Sequence, residues 1–495
     1  MLTIASMKQL YSPPAKCLVA LAISASLALS GCTTTQLQSR VELPPQFTTI
    51  SDTTEAELAW WERYADPVLT QLITRAVNEN RDIKIAEERV RAARAGVAIS
   101  NAAMLPSLSA TASADTNSNG YSAQARQGAP EVTSFSGGLG VAWELDLTGR
   151  LRAGKAAAAA DVRASEAHVR GVRLLVVAEV ASNYFTLMGA IRQLDTVTAI
   201  AQTQQQTLQQ VTARQQAGLA SPFDVERART EASRAEAAIP PLQTLVAVSR
   251  HRIAVLMGDL PTAAAALSPA TAIQVPEVIA GQPAALLERR PDLLAQRAQL
   301  DAANWRRQQA KLEWFPKLFV NALFGRQNLE INGMDLSSAR FGNVAGLLSM
   351  PVFDWGRTAA INDMAQSAQS EALLRYEDAI VRALEDVENA LVSLRDERHR
   401  SQVLDTAALS AQAALQHAES LYHRGQIDLL PLLDAQRARL GVQISANDSQ
   451  TQLLLSSVQL FKSLGGGWQA FEAAPASTKD TVVTQHQTSI NKESL

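Results

Sequence analysis

The segment NRDIKIAEERVRAARAGVAISNAAMLPSLSA, residues 80–110, has a second version in RPDLLAQRAQLDAANWRRQQAKLEWFPKLFVNA, residues 290–322. Identical residues align at a separation of 210: Asp82 with Asp292, Ala93 with Ala303, and Pro106 with Pro316. Further along the chain the separation is 207, and it joins Gly149 with Gly356, Arg150 with Arg357, Gly218 with Gly425, and Ala228 with Ala435. One length change of three residues, between Pro316 and Gly356, explains both offsets. The chain is therefore a tandem duplication, and the repeat determines its architecture.

Each copy predicts the order helix, two strands, very long helix, shorter helix. Residues 150–217 and 357–424 contain no proline and carry apolar residues at spacings of seven, four and three. This spacing is typical of a coiled-coil seam. At about 1.5 Å per residue, each long helix would extend about 100 Å. Such helices are too long for an ordinary compact domain.

The predicted strands alternate between apolar and polar residues. In the first copy they lie within about 105–145, and in the second they lie at about 316–325 and 341–353. Runs of about ten alternating residues suit membrane strands with one face toward lipid and one toward a lumen. The polar, glycine-containing links, about 117–132 and 326–340, are expected to be external loops.

Four strands cannot close a barrel, and an open edge in lipid would leave backbone groups unpaired. Assembly of several chains is therefore expected. A dimer would supply eight strands, which pack solid, and a trimer would supply twelve, which leave room for an aqueous lumen. The residues favour the trimer only through the need for a pore.

The N-terminus has the form of an export signal over residues 1–31, with lysines followed by a short apolar stretch. This stretch ends in Leu29-Ser30-Gly31-Cys32, which matches the bacterial lipobox. We expect acylation of Cys32, with residues 32–56 as an acylated extension. The alternative is a conventional leader with an incidental cysteine. The resemblance to bacterial lipoproteins implies that an aspartate at position 33 would retain the chain in the inner membrane, so Thr33 favours the outer membrane.

Composition excludes several classes of function. The formal net charge is -3, so there is no basic surface to favour nucleic acid as a partner. The two cysteines, Cys17 and Cys32, lie in or at the end of the leader, so no structural disulfide is expected. The six histidines form no metal or catalytic motif, and Gly465-Gly466-Gly467 lacks the lysine of a phosphate loop. We expect no enzyme activity, no metal and no cofactor other than the lipid on Cys32.

Four motifs together resemble the outer-membrane factor (TolC-like) family. They are WELDLTGRLRAG from Trp143, MPVFDWGR from Met350, QAGLASPFDVERAR from Gln216, and RGQIDLLPLLDAQRARL from Arg424. The likeness is greatest to the lipoprotein branch of RND-type multidrug efflux (OprM- and NodT-like), and it covers about residues 57–467. It implies a mixed α/β membrane protein that is a homotrimer. In that fold a twelve-stranded outer-membrane barrel, with four strands from each chain, continues into a long periplasmic helical barrel.

The resemblance also implies a function and partners. The chain would be the outer-membrane channel of a tripartite efflux system that exports small molecules such as drugs. Its partners would be a periplasmic membrane-fusion adaptor, an inner-membrane pump of RND type, and outer-membrane lipid. The predicted organisation is a first repeat at 57–264, a linker at 265–282, a second repeat at 283–467 and a flexible tail at 468–495.

Two kinds of junction recur in both copies. At the strand-helix joints an aspartate precedes Gly-Arg, which suits a sharp backbone turn followed by a capped helix. The joint residues are Asp146, Gly149, Arg150, Asp354, Gly356 and Arg357. At the hairpin tips the glycines suit left-handed helix ends, and Ser221 with Pro222, and Asp428, suit the next helix starts. The resemblance implies that the adaptor docks at Gly218, Leu219, Ala220, Ser221 and Gly425.

A third site lies just beyond the second tip. Leu430, Asp434 and Arg437 are spaced four and three apart, which places them on one helical face. The resemblance implies that these positions line a periplasmic gate, with an aliphatic ring, an acidic ring and a basic tie between neighbouring helices. Three Asp434 carboxylates around a narrow axis would repel one another and attract cations. An ordinary solvated helix face has the same residue types.

Two other classes of function are compatible with parts of the sequence. A periplasmic coiled-coil scaffold or adaptor would explain the lipid anchor and the long helices, but it leaves the duplicated strand pairs unexplained. An envelope hydrolase would need a nucleophile-base pair or a metal set, which the motifs do not supply.

Overall fold

The computed structural model describes residues 37–47, 59–117, 122, 124, 131–263, 273, 275–277, 281–331 and 334–472. Cys32, the predicted signal sequence and residues 473–495 lie outside the described residues. Residues 264–272, where the first repeat was predicted to end, also lie outside. The predicted boundaries between signal, repeats, linker and tail therefore remain predictions.

The first copy opens with two short helices and a strand pair. Helix α1 (Pro67–Glu79) is capped by Asp66, and α2 (Arg81–Ala102) is capped by Asn80, whose side chain accepts from two backbone N–H groups. Strands β1 (Ser107–Asn117) and β2 (Val132–Leu145) follow. The very long helix is α3 (Arg150–Gln216), which has 67 residues. The prediction of a rod-like helix here is confirmed.

The shorter helix of the first copy is divided in two. Helix α4 (Pro222–Ala237) ends where Pro240 and Pro241 begin the next helix, α5 (Ile239–Leu256). A proline ring blocks the backbone hydrogen bond to the residue four positions earlier, so the helix cannot pass through this point undisturbed. The single short helix expected in this copy is therefore interrupted.

The second copy repeats the order with a continuous last helix. It contains α6 (Pro291–Lys311), β3 (Lys317–Ile331), β4 (Met334–Ser349), α7 (Arg357–His423) and α8 (Leu429–Ser463). A short helical turn, Leu286–Arg289, precedes α6. Helix α7 has 67 residues, the same length as α3. Helix α8 runs for 35 residues without a break.

The prediction of an external loop at 326–340 is wrong. Strand β3 continues to Ile331, and β4 begins at Met334, so most of that segment is paired backbone. Leu329 pairs with Leu336, and one register irregularity lies between Gln327 and Leu329. Polar residues are compatible with a strand wherever one face meets water, so polarity alone was a poor indicator of a loop here.

The four strands form one antiparallel sheet in the order β1-β2-β3-β4. Ser107 pairs with Ala142 in the first hairpin, and Lys317 pairs with Ser349 in the second. Shifting the first pair by the two repeat offsets, 210 and 207, gives the second pair. The tandem duplication is thus confirmed in the backbone pairing as well as in the residues.

The two faces of the sheet differ in polarity. Leu108 lies opposite Val141, Leu139 opposite Phe324, and Leu318 opposite Leu348, so apolar residues share one face across all four strands. Every residue of β1 is exposed in the isolated chain. The opposite face is polar in the first hairpin, with Ser107, Ser109 and Thr111, but in the second it also carries Phe319, Leu323 and Leu347. The first hairpin thus has the apolar-polar alternation of membrane strands.

The main core is formed by α1, the middle of α3, α7 and the C-terminal part of α8. Trp60 stacks on Phe461 with ring centroids 5.0 Å apart, and Tyr184 and Phe185 are fully buried. Within the described residues, α3 is the one helix apolar enough over 18 residues to cross a membrane, and 61% of that window is buried in the protein. Its apolar stretch is therefore explained by packing.

A second, smaller core lies at the helix tips, and a polar layer separates the two. Val211, Val225 and Leu433 belong to the tip core. Between the cores, Gln436 donates to Thr207 at 3.3 Å, and Asn447 donates to Thr196 at 3.0 Å. Helices α3 and α8 are thus joined by apolar contacts at both ends of this region and by hydrogen bonds between them.

Candidate functional site

The first strand-helix joint is held by its backbone and by buried charges. Gly149 has φ +85°, which a residue with a side chain adopts only with strain. The carboxylate of Asp146 accepts from the backbone N–H groups of Leu151 and Arg152 at 3.1 and 3.0 Å. Burial raises the pKa of Asp146, but these hydrogen bonds and the Arg152 guanidinium lower it more, so it lies below its ordinary value of 3.8. The predicted capping role is geometrically satisfied.

Arg150 connects this joint to the second copy. Its guanidinium lies 2.7 Å from Glu144 on β2 and 3.1 Å from Glu313 just before β3, and its side chain is 15% exposed. Glu313 also pairs with Lys317 at 2.5 Å. Burial lowers the pKa of Arg150, but its two carboxylate partners raise it further, so the guanidinium stays charged. The network joins β2, α3 and β3 where the sheet meets the helices.

The second joint has the same backbone but different surroundings. Gly356 has φ +83°, and Asp354 accepts from the backbone N–H of Thr358 at 2.9 Å and from its hydroxyl group. The hydroxyl bond is the largest cause of the lowered pKa of Asp354. Arg357 is exposed. Trp355 is 91% exposed and has φ +55°, and it contacts Phe353 edge to face at 5.0 Å.

Both hairpin tips have the geometry predicted from their glycines. Gly218 and Gly425 have φ +72° and +69°. The N–H of Leu219 donates to the carbonyl of Arg214 at 2.8 Å, and Gln426 donates to Leu421 at 2.9 Å, which closes each long helix with a Schellman-type turn. Leu219 is 70% exposed although it is apolar. The first tip thus presents an apolar side chain to solvent.

The helix starts after the two tips differ. Ser221 and Asp224 form a reciprocal capping box at α4, with Pro222 in the first turn. Asp428 occupies the equivalent position before α8 but makes no side-chain capping hydrogen bond. The helix start expected at Asp428 is confirmed, because α8 begins at Leu429, but the cap position is occupied without a side-chain hydrogen bond.

The predicted gate residues do lie together on one face of α8. Leu430 is 44% exposed, and the side chains of Asp434 and Arg437 are also partly exposed. Arg437 lies 3.2 Å from Asp434, and 3.1 Å from Glu231 on α4. The Arg437 guanidinium thus joins α8 to a helix of the first copy, and its partner there, Glu231, was not predicted from the sequence.

Arg437 and Glu231 lie at nearly the same distance from the two hairpin tips. Glu231 lies 13 residues beyond Gly218, and Arg437 lies 12 residues beyond Gly425, so the two are level on helices that leave adjacent turns. The counterpart of Asp434 in the first copy is Arg227, which lies over the Phe223 ring at 5.4 Å. The duplicated helices therefore carry opposite charge at this level.

The described residues contain no group of three or more His, Cys, Asp or Glu side chains placed to hold a metal ion. The polar clusters at the joints, tips and α8 face are ion pairs and helix caps. Their hydrogen bonds and ion pairs hold strands and helices in position.

Comparison with known proteins identifies the relatives of this fold. A family model described as "Outer membrane efflux protein" matches residues 72–259 and 283–466. The pyoverdine export outer membrane protein OpmQ of Pseudomonas putida is 31% identical over 420 residues, which are 83% of this chain and 88% of that protein. The cation efflux system protein CusC of Escherichia coli is 27% identical over 90% of this chain and 97% of its own length.

Solved structures agree with these matches. The outer-membrane channel OprN has a TM-score of 0.80 and 29% identity, covering 88% of this chain and 100% of that one. The open-state MtrE outer membrane channel of Neisseria gonorrhoeae has a TM-score of 0.78 and 26% identity, covering 88% and 99%. The fold is thus one already seen in outer-membrane channels.

Proposed function

This chain belongs to the outer membrane efflux protein family, and we propose that it is one subunit of a trimeric channel that carries small molecules from the periplasm across the outer membrane. Its relatives and structural neighbours are efflux channels rather than enzymes. The family assignment and the paired strands favour this function over a coiled-coil scaffold without a channel.

The observation that carries the proposal is the four-stranded sheet with one apolar face, continued by two 67-residue helices. A single chain cannot seal such a sheet in lipid, because the outer edges of β1 and β4 would keep unpaired backbone groups. Three copies supply twelve strands and enclose water. The long helices then extend about 100 Å into the periplasm.

The cargo is set by the system that the channel serves. Relatives are named for pyoverdine export, cation efflux and toluene efflux. We infer that this chain accepts small molecules delivered by an inner-membrane pump of RND type through a membrane-fusion adaptor. Deletion of the gene should increase susceptibility to some of a panel of drugs and dyes, and the intact chain should restore resistance; unchanged susceptibility throughout the panel would argue against drug export.

The lipid anchor rests on the sequence motif Leu29-Ser30-Gly31-Cys32 alone. A diacylglyceryl thioether together with an acylated amino group would hold the N-terminus firmly in the membrane, where a single chain binds only marginally. Intact-mass spectrometry of the mature protein tests this: Cys32 should carry the lipid mass, and a Cys32→Ala chain should lack it. An unmodified mature cysteine would exclude the anchor.

The adaptor is proposed to dock at Gly218, Leu219, Ala220, Ser221 and Gly425. An exposed leucine held by a rigid turn offers apolar area for a partner at little entropic cost. A photo-crosslinker at Leu219 should capture the adaptor in cells, whereas one at Leu409, which is 75% exposed on α7, should not. Equal capture at both positions would remove this assignment.

The gate is proposed to close through α8. In the trimer, Leu430 and Asp434 would form rings around the axis, while the bond from Arg437 to Glu231 holds α8 beside α4. The Arg437 side chain is 40% exposed, whereas the Glu231 side chain is only 12% exposed. Removing Arg437 would leave Glu231 without its partner and release α8 to move outward.

Planar-bilayer recording tests the gate. Asp434→Ala combined with Arg437→Ala should raise single-channel conductance several-fold, because the narrowest section limits the current. Arg437→Ala alone and Glu231→Gln alone should each produce part of the increase. Arg91→Ala is the matched control, since it breaks an exposed ion pair with Glu88 on α2. Unchanged conductance in the double variant would remove the gate assignment and leave the channel function standing.

A further inference from the structure

Two arginines lie opposite each other on the apolar face of the sheet. Arg326 of β3 pairs directly with Arg340 of β4, and both residues are exposed. Like charges placed directly opposite each other in an antiparallel pair repel. Among the residues that the structure describes, neither guanidinium has an ion pair or a hydrogen bond. The chain itself therefore leaves two adjacent positive charges without a counter-charge.

The arginine pair lies at the end of the apolar surface of the second hairpin. On the same face and nearer the helices, Phe324, Val344 and Leu348 are each more than half exposed in the isolated chain. Beyond the arginines, away from the helices, Glu330 lies opposite Asp335. The arginines thus lie where the apolar surface ends and a charged surface begins.

The height of the pair agrees with the thickness of a membrane. Strand β3 begins at Lys317, whose side chain pairs with Glu313 beside the first joint. Arg326 lies nine residues further along, which is about 30 Å of extended strand. With a strand tilt of about 40°, the pair lies about 23 Å above the start of β3, and the apolar band of outer-membrane barrels is about 25 Å tall. The guanidinium groups therefore reach the level of the outer head groups.

The sheet leaves open space beside the pair. On the side of β2, Gly137 lies opposite Arg326, and Ala112 of β1 lies opposite Gly137. A Cβ atom added at Gly137 would meet nothing within 4 Å. Two small residues and two arginines thus form one row across the four strands, and a bulky anionic group can approach the guanidinium groups from the lipid side.

The first copy carries a neutral pair at the equivalent position. The repeat offsets relate Arg326 to Thr116 and Arg340 to Thr133, and these two threonines are directly opposed in the first hairpin. The same backbone pairing therefore forms without arginines. The charge of the second hairpin is not a requirement of the fold.

We propose that Arg326 and Arg340 bind the phosphate groups of lipopolysaccharide, the glycolipid in the outer leaflet of the outer membrane. This lipid carries its phosphates on sugars directly above its acyl chains. A guanidinium group binds phosphate through two parallel hydrogen bonds, and the aliphatic part of an arginine lies on an apolar surface while its charge reaches the head groups. A phosphate between the two arginines replaces their repulsion with two attractions. The site rests on the proposed channel, because only a sheet that spans the outer membrane brings the pair to this leaflet.

Binding of fluorescent bisphosphorylated lipid A to the purified trimer in detergent tests the site. Arg326→Thr with Arg340→Thr gives the second hairpin the threonine pair of the first, and the affinity should fall at least about tenfold because charge-assisted hydrogen bonds are lost. Arg326→Lys with Arg340→Lys keeps both charges without the planar guanidinium, so its affinity should lie between the two. Arg91→Thr with Arg94→Thr removes two exposed arginines from α2 and is the matched control, with unchanged affinity.

Several results would overturn the site. Unchanged affinity in the threonine variant, or equal binding of lipid A whose phosphates have been removed, would exclude phosphate recognition by the pair. Displacement of lipid A by an equal concentration of inorganic phosphate would indicate a free-phosphate site, and equal affinity for phosphatidylglycerol would indicate any phospholipid head group; either result would overturn the glycolipid assignment. If the threonine variant does not form a trimer, the lysine variant decides, and unchanged affinity there would overturn binding through the guanidinium groups.

Single-channel conductance separates this site from the channel itself. The threonine variant should conduct as the unaltered chain does, because both arginines lie on the apolar face, which meets lipid rather than the lumen. Loss of lipid A binding with intact conductance supports the site. An unaltered chain that does not conduct would instead overturn the channel on which the site depends.

Discussion

The two strand-helix joints have the same motif but different environments. In both, a glycine near φ +84° turns the chain, and an aspartate caps the helix that follows. At the first joint Arg150 is enclosed by Glu144 and Glu313, whereas Arg357 at the second joint is exposed. Both copies thus keep the glycine and the capping aspartate that the turn requires. The partners of the arginine that follows the glycine differ between the copies.

The reason for the difference is the position of each joint in the sheet. The first joint lies between β2 and β3, inside the chain, so its arginine meets residues of the second copy. The second lies at the edge, where the neighbour is another subunit. The repeat counterpart of Glu313 is Ala103, which cannot accept a charge-assisted hydrogen bond. Side-chain partners at a subunit seam thus cannot simply be copied from those inside the chain.

The largest expected effect is a difference in trimer stability between substitutions at Arg150 and at Arg357. Arg150→Met leaves Glu144 and Glu313 without their shared guanidinium in a largely buried place, so it should destabilise the trimer by about 2 kcal/mol. Because Ala103 stands at the repeat position of Glu313, Arg357→Met should change trimer stability by no more than about 0.5 kcal/mol. The midpoint of trimer dissociation on heated detergent gels measures both. Equal losses would mean that the Arg150 network contributes nothing beyond ordinary surface charge.

A smaller and equal effect is expected at the two glycines. Gly149→Ala and Gly356→Ala each force a side chain into left-handed backbone, at a cost of about 1 kcal/mol. An added Cβ would meet the Arg152 side chain at 3.5 Å in the first case and open space in the second, so steric overlap does not separate them. The temperature at which the trimer dissociates should therefore fall by the same amount in both variants. A large difference would show that the joints do not share one backbone requirement.

The smallest effect at neutral pH concerns the capping carboxylates. Asp146→Asn keeps an acceptor oxygen but loses the charge near the helix N-terminus, which should cost about 0.5 kcal/mol. Because the folded pKa of Asp146 lies below 3.8, its stabilisation is fully present above that pH and is lost as the pH falls through the folded pKa. When acid unfolding is followed by circular dichroism, the stability of the Asn variant should therefore depend less on pH below 3.8 than that of the unaltered chain. An unchanged acid profile would contradict the assignment.

Much of the fold could be predicted because it depends on local pattern. The glycines at 149, 218, 356 and 425 all have positive φ, and the long helices end within one residue of the predicted positions. Strand length was predicted less well, because pairing between Leu329 and Leu336 depends on the neighbouring strand rather than on composition. Propensity alone does not contain that information.

For the site residues too, local groupings were predictable and long-range pairs were not. Leu430, Asp434 and Arg437 share a face because helical spacing requires it, so their grouping was predictable. The pairing of Arg437 with Glu231, and of Arg150 with Glu313, joins positions more than 150 residues apart. Such pairs depend on how the two copies pack, and many residues of the same charge would have fitted the sequence equally well.

The break between α4 and α5 has a mechanical meaning. Where the first copy has Pro240 and Pro241, the second has Asn447 and Asp448 in the middle of an unbroken helix. An unbroken helix of 35 residues behaves as a stiff lever about 50 Å long, so a displacement at its lower end is felt at its upper end. A proline break absorbs the same displacement within one turn. The helix that returns from the tip is therefore continuous in the second copy and interrupted in the first, while the long helix that leads to the tip is unbroken in both.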